Sequence, residues 1–136
     1  MNRSLLLAYQ WLIGLADTLT GALLIIAPEW TLGLMRLYAP PDALPYVSYL
    51  GAFVLSVGLA CLYGAVLMAR RASPCILQAV WLLTAITRAS VAIVVVAQVL
   101  AHTLQAGWLT VAVFDSACVL AQATGLRKGW LGNVVR

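Results

Sequence analysis

Four long apolar runs, at about residues 5–27, 46–69, 75–102 and 108–126, leave this chain few folds to choose from. A helix rises 1.5 Å per residue, so roughly 20 apolar residues cross the hydrocarbon core of a bilayer. Within lipid every backbone polar group must be satisfied inside the segment, which favours helices over open strands. The breaks between runs carry the proline, glycine and charge that end helices: Pro28-Glu29, Ala39-Pro40-Pro41-Asp42, Arg70-Arg71 ahead of Pro74, and His102 to Gly107. The expected fold is therefore all-α. Residues 1–136 are expected to form one polytopic membrane domain, a four-helix antiparallel transmembrane bundle. The stretch Thr31 to Tyr38 is too short to cross and is expected as an interfacial helical turn between the first two spans.

Composition closes off the alternatives. Of 136 residues, 64% are hydrophobic and 9% charged, against about 45–50% and about 25% in soluble domains. Neither a water-soluble core nor a disordered chain fits those values. The net charge of +4 is not a nucleic-acid signature, because the basic residues are scattered at run ends with no stripe or motif. The bilayer is the expected partner. A cleaved signal peptide is not expected, since Asp17 interrupts the first run and no clear small-residue cleavage site follows.

Basic residues set the orientation. Arg3, the Arg70-Arg71 loop and the tail residues Arg127, Lys128 and Arg136 share one side. The other side has only Arg36, near Glu29 and Asp42, and the short His102–Gly107 loop. Both termini are thus expected to face the cytoplasm, with the chain in the cell inner membrane. Trp30, Tyr38, Tyr46, Tyr49 and Trp108 fall near the outer interface and Trp130 near the inner one.

Three ionisable residues interrupt the spans, and each lies close to the centre of its run: Asp17, Arg88 and Asp115. At the bilayer centre each costs about 2.5–3.5 kcal/mol, so three facing lipid would cost roughly 8–10 kcal/mol. Arg88 has roughly 20 Å of helix on either side, too far for its head to reach water. The three are expected to turn inward and meet, with the planar guanidinium donating to both carboxylates. If both acids are ionised the cluster carries one excess negative charge. A low dielectric disfavours that, so one acid is expected to hold a proton.

A second polar layer follows by register. Gln10 lies seven residues before Asp17, Trp81 seven before Arg88 and Gln122 seven after Asp115. The first and last spans run in opposite directions, so all three fall about 10 Å to the cytoplasmic side of the charges. They outline a candidate pocket: either a cavity or a hydrogen-bonded seam, opening inward. The second span has no charge but carries Ser48, Ala52, Ser56, Ala60 and Gly64, each four apart. Such a ladder of small residues is expected to pack against a neighbouring helix, in the bundle or in an oligomer. Gly14, Thr18 and Ala22 repeat the theme more weakly.

The chain has no phosphate-cradling glycine loop, no HExxH and no GxSxG, so no catalytic residue is assigned. His102, the one histidine, sits at a span end and not at depth, so neither haem nor a metal centre is expected. Cys61, Cys75 and Cys118 have no metal-ligand or CxxC spacing and are expected to stay free.

Four short spans, with Gly14-Leu15-Ala16-Asp17-Thr18-Leu19-Thr20-Gly21 in the first and Pro28 ending it, resemble the small DoxX-like membrane proteins. That resemblance implies a membrane subunit or partner of oxidoreductases, some of which are linked to quinone; quinone or lipid is the ligand expected. Asp17, midway along the first span, also resembles the essential acid of the small four-helix multidrug exporters, although Arg88 and Asp115 depart from that pattern. Three functions follow as expectations. The first is a small accessory or ligand-binding membrane subunit, with a partner subunit or in a homo-oligomer. The second is a proton-coupled transporter of a small lipophilic cation, and the third a structural scaffold or assembly factor.

Overall fold

The computed structural model describes residues 2–135, with side chains as far as residue 132; Arg136, counted above in the basic tail, lies outside the described residues. Four helices are long and apolar enough to cross a membrane. They are α1 (Arg3–Ile26), α3 (Leu44–Ala69), α4 (Pro74–Leu100) and α5 (Leu109–Arg127), each within a few residues of an apolar run. A short α2 (Pro28–Leu34) follows α1, and α6 (Trp130–Val135) follows α5. No strand occurs among the described residues.

Pro28 both ends α1 and starts α2, where its missing N–H costs nothing because the first turn leaves that donor unpaired anyway. The interfacial turn expected at Thr31–Tyr38 is thus α2 plus a return loop. The chain reverses at Arg36, Arg71 and His102, all in the left-handed region (φ 57°, 54° and 57°). Each reversal is closed by a backbone bond of the Schellman type: Leu37 N–H to Leu32 O, Ala72 N–H to Leu67 O and Thr103 N–H to Gln98 O.

The bundle is built from two pairs. Helix α1 lies closely along α3, α4 lies along α5, and contact between α3 and α4 joins the pairs. Glycines permit the first approach. A Cβ at Gly51 would stand 2.8 Å from Leu24 Cβ and 2.9 Å from the Gly21 carbonyl oxygen, and one at Gly58 would stand 2.6 Å from Thr18 Oγ1. Gly14 is pressed in the same way against Leu62, at 2.8 Å.

The ladder expected on the second span is not this seam. Ala52 and Ser56 are exposed, Ser48 and Ala60 half-buried, and only Gly64 is buried. Steps of four residues advance 40° round a helix, so five such positions wind through about 160° and turn out of the α1 contact. Steps of seven drift by only about 20°. Gly14 and Gly21 on α1, and Gly51 and Gly58 on α3, keep that step and make the contact.

Each end of the bundle is closed by apolar packing. At the end holding the termini, Leu6, Met68, Leu77, Trp81 and Leu131 form a buried cluster, with Trp130 against it. There the Arg3 guanidinium donates to the Ala69 carbonyl at 3.0 Å, placing a cation at the C-terminus of α3. At the loop end, Leu24, Leu32, Leu37 and Val47 form one cluster, and Ala92, Val95 and Ala112 another, with Trp108 packed against both. The Gln105 amide ties the two loops at this end: its Nε2 donates to the Tyr38 carbonyl at 2.7 Å, and its Oε1 accepts from the Tyr38 N–H at 3.2 Å.

Candidate functional site

Asp17, Arg88 and Asp115 come together between the two helix pairs. Arg88 Nη2 donates to Asp17 Oδ2, and Nη1 donates to Asp115 Oδ1 at 2.5 Å. The guanidinium thus bridges α1 and α5 from α4. It is more enclosed than either acid, with 3% of its side chain exposed against 11% of each carboxylate side chain. Each acid commits one oxygen to Arg88 and keeps another, whereas Arg88 Nε is buried without a partner.

Neighbours that the sequence did not reveal complete the site. The Phe114 ring lies under the guanidinium, 5.5 Å from its carbon, in cation–π geometry. Cys61 from α3 and Cys118 from α5 are buried close to the guanidinium, and the Tyr9 hydroxyl donates to the Cys118 carbonyl at 3.5 Å. No signal in the sequence marks these lateral neighbours, except that Cys118 lies three residues beyond Asp115 and so returns to its face. Among the described residues no three His, Cys, Asp or Glu side chains assemble as a metal site. His102 is exposed at the loop end, away from the charges.

Gln10, Trp81 and Gln122 are all within 1% of complete burial. Gln122 Nε2 donates to Thr84 Oγ1 at 2.9 Å, and that hydroxyl donates in turn to the Val80 carbonyl at 2.9 Å. Two glycines are notches for this layer. A Cβ at Gly64 would stand 2.6 Å from Gln10 Nε2, and one at Gly125 would stand 2.5 Å from the Trp81 ring. Trp81 also packs against Tyr9, ring centres 5.9 Å apart. The layer is fully buried, and within it Gln10 Nε2, Trp81 Nε1 and Gln122 Oε1 have no partner. It does not open towards the termini, because the cluster around Leu6, Met68, Leu77 and Leu131 closes that end.

The sides of the bundle differ. Close backbone packing joins α1 to α3, α3 to α4 and α4 to α5, while α1 and α5 are linked chiefly through side chains. Ser116 lines an apolar groove along α4 with Ala92, Val96 and Leu100. Two residues turn the helix by 200°, so Phe114 points about 160° away from Ser116 and off the α4 groove. Phe114 is 40% exposed, over the charge cluster.

No known protein family, curated protein or solved structure matches this chain. A functional reading must therefore come from the geometry.

Proposed function

We propose that the chain is a small multi-pass membrane subunit that binds a lipid-soluble ligand at the Asp17–Arg88–Asp115 cluster, entering between α1 and α5. The observation that carries this reading is the imbalance of two carboxylates to one guanidinium, on the side of the bundle with the least backbone packing. In a low dielectric an excess carboxylate is relieved by a proton or by a positively charged hydrogen-bond donor. The fitting ligand is an amphiphile with a protonated amine, its tail in lipid and its head on the free carboxylate oxygens. Phe114 is the side chain such a head would pass.

The distribution of arginine and lysine supports an inner-membrane location with both termini and the Arg70-Arg71 loop in the cytoplasm. Association with a redox partner, or with quinone as the ligand, is supported only by the DoxX-like layout, and co-purification with such a partner tests it. Proton-coupled cation transport would further require a route past the apolar clusters at both ends.

Titration of the protein in lipid nanodiscs with a fluorescent long-chain primary amine tests the main reading. Saturable binding should weaken at least tenfold in Asp17→Asn and in Asp115→Asn, and a fluorescent alcohol of equal length should bind poorly. Equal partitioning of amine and alcohol into wild type and the double variant would refute the proposal. A second reading is favoured by the central position of Arg88, which ties α1 to α5, two helices with little direct backbone packing between them. In that case the cluster is a structural latch, and the same titration shows no saturable component.

A further inference from the structure

The Gln10–Trp81–Gln122 layer lies about 10 Å from the charge cluster, two helical turns along the same three helices. A shift of seven residues keeps a position on the same seam of a left-handed bundle. Because Asp17, Arg88 and Asp115 meet, Gln10, Trp81 and Gln122 face a common axis one layer below them. Each is at least 99% buried. Each also presents a polar atom without a partner: Gln10 Nε2, Trp81 Nε1 and Gln122 Oε1.

We propose that this layer is a second binding site and that its ligand is water. Two donors and one acceptor facing one axis select a neutral molecule that both accepts and donates. A metal cation would meet two N–H groups, and an anion would meet the Gln122 oxygen. Water with two to four polar partners is a normal part of a protein interior.

The three side chains are not free to satisfy one another by swinging. Gln122 is held by its bond to Thr84, whose own hydrogen is committed to Val80. Gln10 sits in the Gly64 notch, and Trp81 is wedged between Gly125 and Tyr9. The apolar cluster on the terminal side closes the layer off from that end. The site extends the polar column from the midplane acids towards the termini without opening it to bulk solvent.

Trp81 reports on the site directly. In 15N-labelled protein in nanodiscs, its indole N–H resonance is assigned by its disappearance in Trp81→Phe. The expected result is a nuclear Overhauser cross-peak from that proton to water. The cross-peak should fall at least severalfold in Gln10→Leu or Gln122→Leu and persist in Asp17→Asn/Asp115→Asn, which separates this site from the ligand site above. Absence of the cross-peak in the wild-type protein, with the exposed Trp30 indole showing one under the same conditions, overturns the proposal. An undiminished cross-peak in both glutamine variants overturns it equally.

Discussion

Arg88 sits where lipid solvation is impossible, and both of its bonded partners come from other helices. Removing one member of a buried ion network strands the others, at a cost of about 3–5 kcal/mol, whereas replacing the whole set with apolar or neutral groups is often nearly neutral. Arg88→Met should therefore lower stability by about that much, and Asp17→Asn/Arg88→Met/Asp115→Asn should recover most of the loss. Reversible unfolding in mixed detergent micelles measures both. A silent Arg88→Met would mean that the acids do not depend on the guanidinium. The trio was legible in the sequence because a charge at the centre of an apolar run has few ways to exist. Phe114, Cys61 and Tyr9 were not legible, because lateral neighbours are fixed by helix rotation, which hydropathy does not encode.

At the scale of elements, the boundaries of the spans followed from length and from prolines, but the packing face of α3 did not. Smallness every four residues drew attention to Ser48–Gly64, while the contact needed glycine every seven, at Gly51 and Gly58, to let backbone meet backbone. The difference is measurable. Gly21→Ala and Gly58→Ala each place a methyl group against α3 or α1 backbone, and should destabilise the bundle by about 1–3 kcal/mol, the usual cost of overpacking. Ala52→Leu and Ser56→Leu point outward and should stay within about 0.5 kcal/mol of wild type. The same detergent titration decides between the faces, and a reversed order would show that α3 is rotated. Gly64 belongs to neither set: its hydrogen leaves room for Gln10, so its role is read at the polar layer.

For the whole molecule the open question is sidedness, and the three cysteines answer it. Cys61 and Cys118 are buried beside the charge cluster, whereas Cys75 is exposed at the start of α4, on the end of the bundle that also holds the termini. A thiol reagent in water should therefore find Cys75 and leave the other two unmodified in the native protein. With the termini in the cytoplasm, a membrane-impermeant maleimide should label inside-out vesicles and spare intact right-side-out ones. Cys75→Ser should abolish the signal in both, showing that it comes from that site. Labelling confined to right-side-out vesicles would invert the topology, placing Arg3, Arg70 and Arg71 outside against the positive-inside tendency. The bundle itself would be untouched by that result, because the ion cluster lies near mid-depth in its helices and depends on neither face. What would change is the compartment towards which the buried Gln10–Trp81–Gln122 layer is offset.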